Sequence, residues 1–193
     1  MKTIQQLQAV MKPIGHGHGI APVDFLTVVR DTIKSLPDVM FDRNTADHDI
    51  YAVLSSKVAL KVYLTSITMR RALMAAALTC IAGDEADWKW LTGRDTTAGA
   101  QTPDQMEAGV FQASNDSRRL AKSLDIYLRQ HSINTAQQFQ EEMKSDHTLA
   151  VTYAILLLRV TTSWDGPTNR GWVTEQVTPA LVDAWAEALM DAA

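Results

Sequence analysis

The sequence predicts a mainly α protein with at most a small β-hairpin. Apolar residues recur at spacings of three and four through most of the chain, as they do on one face of a helix. Strict apolar–polar alternation, which is typical of strands, is almost absent. Two stretches, residues 72–83 and 148–160, are apolar on nearly every side, which indicates buried central helices.

The length and composition predict one structural domain. The chain has 193 residues, of which 46% are hydrophobic, and this is enough to build a single substantial core. Residues 1–20 are interpreted as an N-terminal helix and a flexible Gly/His tether, and residues 21–193 as a single helical domain. No internal repeat or low-complexity linker divides that domain.

Charge and cysteine usage narrow the classes of function. The formal net charge is -4 and like charges do not cluster, so neither a nucleic-acid footprint nor a polybasic membrane patch is expected. Cys80 is the only cysteine, and its apolar surroundings predict a buried, inert thiol. The N-terminal segment has no apolar signal core, and the run 72–83 is too short for a membrane span. We therefore expect synthesis in the cytoplasm without a signal peptide.

The first half of the chain is predicted as a series of helices. Residues 3–11 form a short helix that ends before Pro13, and residues 23–36 form a second helix closed by Pro37. Residues 50–82 are helical in one or two pieces. Gly83 is the predicted stop of this apolar helix, because glycine often follows a helix C-terminus.

The second half is also predicted to be helical. Helices are expected over residues 116–128, 148–160 and 179–192, together with one that Asn134 caps and that runs through Gln137 and Phe139. The only predicted sheet is a small hairpin near residues 110–113.

Glu85 is the strongest candidate for a catalytic residue in the sequence. It follows the apolar run and precedes Trp88 and Trp90. A helix C-terminus and partial burial both disfavour the charged carboxylate, so we expect a raised pKa. A carboxylic acid that stays protonated near neutral pH can protonate the leaving oxygen of a glycosidic bond. The alternative is a solvated acid in a turn.

The motifs around Glu85 resemble the lysozyme-like superfamily, and goose-type lysozymes and soluble lytic transglycosylases most of all. The resemblance rests on Glu85, on Gly93-Arg94-Asp95 and on Glu107-Ala-Gly-Val-Phe-Gln112. The segment Gly166-Pro-Thr-Asn-Arg170 is similar to a late turn in some of these proteins. Together the motifs span about half the chain, roughly residues 72–172. The resemblance implies a lysozyme-like helical domain over residues 21–193.

The resemblance implies that Glu85 is the catalytic acid. Asp95 is the best candidate for a second acid, and Glu107 is the next. The alternative for Asp95 is an ion pair with Arg94 or a turn cap. The alternative for Glu107 is an orienting hydrogen bond that holds the loop. The chain departs from the family pattern after the catalytic Glu, where Ala86 replaces the usual Ser. It also has no Asp after the hairpin glutamine, since Ala113 and Ser114 stand there.

Four further residues are candidates for substrate binding. Gln112 either donates its amide to a sugar or ties the hairpin down. Trp88 and Trp90 either stack on sugar rings or belong to the core. Tyr153 either points its hydroxyl at the cleft or is a core tyrosine with one satisfied hydrogen bond.

These expectations combine into a peptidoglycan glycan-strand hydrolase, either a muramidase or a lytic transglycosylase. No cofactor and no metal are expected, because His16 and His18 lack companion ligands. The expected partners are peptidoglycan glycan strands and an immunity protein or secretion machinery. No binding to nucleic acid is expected, and the protein is expected to be a monomer. It would act at the cell wall or periplasm after delivery by phage lysis or a secretion system. The alternatives are an inactive lysozyme-like binding protein and a chitin- or chitosan-cleaving relative.

Overall fold

The computed structural model describes residues 3–13, 19–43, 49–93, 102–160 and 175–190. Several sequence predictions fall outside these ranges: the histidines of the tether, Arg94 and Asp95, the turn at residues 166–170, and the last residues of the terminal helix. The described residues form a mainly α structure with one two-stranded antiparallel sheet, which confirms the predicted fold class.

The helices follow the predicted order along the chain. They are α1 (Ile4–Val10), α2 (Val23–Ser35), α3 (Ile50–Ser55), α4 (Ile67–Ala86), α5 (Lys122–Gln130), α6 (Ala136–Ser145), α7 (His147–Val160) and α8 (Pro179–Leu189). In the described part of the chain, three 3-10 helices lie between them, at Asp38–Phe41, Val58–Leu64 and Asn115–Leu120. The strands are β1 (Glu107–Ala108) and β2 (Ala113–Ser114).

Helix α4 is the centre of the main hydrophobic core. Ser66 caps its start by accepting a hydrogen bond from the Met69 backbone N–H at 3.2 Å. Alanine recurs through the helix, and alanine has the highest helix propensity. Every residue from Ala72 to Gly83 is buried. Helix α8 packs along α4 most extensively, and α2 and α7 also contact it.

The end of α4 differs from the prediction. The helix passes through the buried Gly83 and ends at Ala86, and the reversal of direction falls on Asp87 and Trp88. Both residues have left-handed backbones, with φ of 49° and 57°. Their N–H groups bond to Gly83 O at 3.1 Å and Ala82 O at 3.0 Å. The predicted stop at Gly83 was wrong, because the chain satisfies the last helical carbonyls one turn later without using glycine.

The hairpin connects two hydrophobic clusters. Val110 and Phe111, in the turn between the strands, are buried in the main core around α4. Ala108 and Ala113, on the paired strands, belong to a second cluster with side chains of α5, α6 and α7. The turn therefore inserts into the protein and does not project into solvent. The predicted hairpin is present near residues 110–113, with its strands at Glu107–Ala108 and Ala113–Ser114.

The start of α6 also differs from the prediction in one residue. Thr135, not Asn134, is the N-cap: its hydroxyl accepts from the Gln138 N–H, and the Gln138 side chain accepts from the Thr135 N–H. This reciprocal pair is a capping box, which satisfies two backbone donors at once. The Asn134 side chain instead donates to Ser132 O at 3.2 Å.

None of the helices in the described residues combines the length and the apolar character that crossing a membrane would require.

Gly109→Ala should destabilise the fold. Gly109 has a φ of +73°, and a Cβ at this position would overlap the backbone carbonyl of Met143 in α6. The left-handed backbone and the overlap together should lower the free energy of unfolding by about 1–3 kcal/mol in urea titrations. Gly93→Ala is the matched control, because nothing lies within 4 Å of its Cβ position. Equal stability of the two variants would contradict the buried placement of the turn.

Candidate functional site

Glu85 lies in the last turn of α4. Its side chain is half-buried. The neighbouring Asp84 accepts a hydrogen bond from Gln176 Nε2 at 3.3 Å, so one side of this helix end is held against the segment that precedes α8. A groove shared by the Glu85 carboxylate and Gln112 stays a prediction.

Trp88 belongs to the core in this structure. Its side chain is 4% exposed, and its indole N–H donates to Thr79 O at 2.9 Å. The bond anchors the residue that follows the helix end back onto the body of α4. The structure thus gives Trp88 the core position that was the alternative to sugar stacking.

Trp90 lies at the surface of the core and contacts three aromatic rings. Its ring is stacked on His147, with centroids 4.0 Å apart and planes 12° from parallel. Phe25 lies at 5.4 Å, and Phe111 in the hairpin turn meets it edge-on at 6.5 Å. A groove of about 620 Å³ runs beside this cluster and is lined by Lys89, Trp90, Leu91, Thr92 and His147.

Gln112 closes the hairpin turn on itself. Its side-chain Nε2 donates to Gly109 O at 2.6 Å, and its backbone N–H bonds to the same oxygen at 3.2 Å. The side chain is 5% exposed and its φ is 45°. One amide proton is therefore used to hold the turn, as one of the two sequence interpretations expected.

The hairpin turn is fixed to the segment that follows Glu85. The Gly109 N–H donates to Thr92 O at 3.0 Å. Together with the contact of Phe111 with Trp90, this bond joins the segment after Glu85 to the Glu107–Gln112 part of the sequence motif. The structure thus brings the neighbourhoods of Glu85 and Gln112 together through Trp90 and Thr92.

Of the two remaining acidic candidates, Glu107 lies in the described structure and Asp95 does not. Glu107 is half-buried in β1, opposite Ser114 of β2. Ala113, next to Ser114 on β2, is buried. Asp95 lies outside the described residues, so its role as second acid stays a prediction.

Tyr153 is buried inside the second hydrophobic cluster. Its side chain has no exposed surface, and its hydroxyl shares a hydrogen bond of 2.7 Å with Ser117 Oγ. Phe139 packs edge-on against its ring at 5.5 Å. Burial raises the pKa of Tyr153 to about 12, so the hydroxyl is protonated at neutral pH. This is the core tyrosine with one satisfied bond that was the alternative to cleft binding.

His147 is the residue of this region that the sequence analysis did not consider. It is the first residue of α7, and its ring covers one face of Trp90. A single histidine between two helices gives no periodic or motif signal. Only the packing of α7 against the loop after α4 makes it part of the site.

Among the described residues, no group of three or more His, Cys, Asp or Glu side chains is placed to hold a metal ion. Searches against family models, curated proteins and solved structures found no match to the chain.

Tyr153→Phe separates a core role from a substrate role. Removing the hydroxyl should lower the free energy of unfolding by about 1 kcal/mol, because the hydrogen bond to Ser117 is lost in a buried site. Ser117→Ala should cost a similar amount, and the double variant should cost less than the sum. Unchanged stability together with weaker binding of glycan fragments would contradict this core role.

Proposed function

We propose that the protein cleaves peptidoglycan glycan strands, as a muramidase or a lytic transglycosylase, with Glu85 as general acid and base. One observation carries the proposal. The segment that follows Glu85 contacts the Gly109–Gln112 turn through the Gly109–Thr92 bond and the Trp90–Phe111 contact. These contacts support the proposal because the two parts of the lysozyme-like motif pack against each other.

The position of Glu85 suits the proposed chemistry. A half-buried carboxyl at a helix C-terminus feels both partial desolvation and the negative end of the helix dipole, and both favour its neutral form. The protonated carboxyl would donate its proton to the glycosidic oxygen as the C–O bond breaks. The resulting Glu85 carboxylate would then accept a proton from the nucleophile that captures the oxocarbenium-like sugar.

The nucleophile decides between the two reactions. Water gives hydrolysis, whereas a hydroxyl of the same sugar gives an anhydro product. Asp95 is the proposed second carboxylate, and Glu107 is the next candidate; the alternative role of Glu107 is an orienting hydrogen bond that holds the loop. Without a second carboxylate, the acetamido group of the substrate itself would stabilise the intermediate, so Glu85 would act alone.

The proposal also covers the place where the protein acts and the partners that it contacts. The substrate is the glycan strand of the cell wall, reached by phage lysis or by a secretion system. The second partner is an immunity protein or that secretion machinery. The rival from another class is an inactive relative that only binds, which Ala86 and the buried Ala113 favour. A chitin- or chitosan-cleaving enzyme is the nearest catalytic rival.

Glu85→Gln should abolish lysis of purified cell walls. The amide keeps the shape of the side chain but has no proton to donate, so activity should fall by about 10²–10⁴-fold while the melting temperature is nearly unchanged. Asp87→Asn is the matched control. It removes a carboxylate two residues away, which pairs with Lys89 at 3.1 Å, and asparagine tolerates the left-handed backbone. Wall lysis by Glu85→Gln within a few-fold of wild type would reject the assignment.

Asp95→Asn tests the second acid. If Asp95 assists the reaction, lysis should fall strongly with little change in melting temperature. If it only pairs with Arg94, activity should persist, with a stability loss of below about 1 kcal/mol for an exposed pair. Analysis of the products completes the test, since an anhydro sugar would show that no water-activating carboxylate is needed.

A further inference from the structure

The loop at residues 87–92 leads the chain away from the end of α4. Its first half is bonded to α4 itself, through the N–H groups of Asp87 and Trp88. Its second half is bonded within the loop, since the N–H and the hydroxyl of Thr92 both donate to Lys89 O, at 3.3 and 2.8 Å. Such local bonds leave the direction of the second half open, so contacts with other elements must fix it.

Trp90 is the residue through which this loop meets three other elements. Phe25 of α2 lies at 5.4 Å with its ring tilted by 35°, and Phe111 of the hairpin turn meets the indole edge-on at 6.5 Å. The ring of His147, from α7, is stacked at 4.0 Å and only 12° from parallel. Of these three rings, that of His147 is therefore the one that covers a face of the indole.

The backbone of His147 is held at a tight corner between two helices. A single residue, Asp146, separates α6 from α7. Its N–H donates to Glu142 O at 2.9 Å, and its carboxylate accepts from the Leu149 N–H at 2.8 Å. Asp146 thus closes one helix and caps the next, which satisfies backbone groups of both. The imidazole therefore reaches Trp90 from a fixed support.

We infer that His147 is a positioning residue for the proposed reaction, because its ring holds Trp90 and thereby the loop that follows Glu85. Thr92 O lies two residues beyond Trp90 and accepts the Gly109 N–H at 3.0 Å. A displaced indole would therefore disturb the bond between the loop and the hairpin turn. The role uses the flat ring of His147 and not its nitrogens. The inference rests on the proposed function and deepens it.

Steady-state kinetics on solubilised peptidoglycan glycan strands test this role. His147→Ala should lower kcat by about 10-fold, since small misplacements in an active site are costly, and leave KM within about twofold of wild type. His147→Phe keeps a flat ring and has no group that titrates, so its kcat should stay within about threefold of wild type. This rescue separates positioning from acid–base chemistry of the imidazole.

His131→Ala is the matched control for the kinetics. His131 also lies against an aromatic ring, that of Tyr127 at 4.3 Å, but this pair belongs to α5 and its C-terminal end. Its kcat should equal that of wild type. The inference is overturned by a kcat of His147→Ala within about twofold of wild type. It is equally overturned if His147→Phe is as slow as His147→Ala, which would assign the effect to the nitrogens.

Amide hydrogen exchange of Gly109, followed by NMR, tests the same contact without any substrate. Exchange should be at least about 10-fold faster in His147→Ala than in wild type, because the loop that accepts this N–H is loosened. It should be unchanged in His147→Phe and in His131→Ala. Equal exchange in all four proteins overturns the inference. A wild type that cleaves no glycan rejects the proposed function instead, and the exchange rates then decide alone whether His147 holds the loop.

Discussion

Helix α4 buries every residue from Ala72 to Gly83, and a helix without a solvent face persists only when other elements cover all of its sides. Its many alanines allow α8, α2 and α7 to approach closely, so much of the apolar surface is buried by the neighbours. Truncating one of its larger side chains, such as Leu73 or Leu78, would leave a cavity that costs about 2–5 kcal/mol. The candidate acid thus stands at the end of a helix whose residues 72–83 are all buried.

The hairpin connects the core around α4 to the second half of the chain. Its turn occupies the main core, whereas its strands belong to the cluster of α5, α6 and α7. Ion pairs hold the start of α5 in place. Arg118 donates to one carboxylate oxygen of Asp125 at 2.7 Å, and Arg129 donates to the other carboxylate oxygen of Asp125 at the same distance. These two hydrogen bonds lower the pKa of Asp125. A two-stranded sheet is marginal alone, so packing on both sides is what stabilises it.

The sequence predicted the elements better than their ends. Helices α2 and α7 match the predictions to within a residue, because their apolar periods are long and Pro37 closes the first. The stop at Gly83 was wrong because glycine is a preference at helix ends, and tertiary burial overrode it. The N-cap of α6 could have been predicted from the sequence, because Thr135 and Gln138 have the spacing of a capping box.

The site was harder to predict than the fold, because its residues are joined only by tertiary packing. Sequence reasoning named Trp90 but not His147, and nothing in the order of residues links the start of α7 to the end of α4. It also assigned Gln112 two equal roles, and the choice depends on a turn geometry that pattern does not encode. Tyr153 shows the same limit, since an apolar helix has no period that tells a cleft-facing residue from a core one.

The turn after Glu85 links the candidate acid to the aromatic surface. Asp87 and Trp88 both adopt left-handed backbones, which cost about 1–2 kcal/mol each for residues other than glycine. The buried indole of Trp88 and its bond to Thr79 O offset that strain. Trp88 holds the chain next to Trp90, which packs against His147 and against Phe111 of the hairpin turn. Any role of Trp90 in contacting a sugar would therefore depend on the core contacts of Trp88.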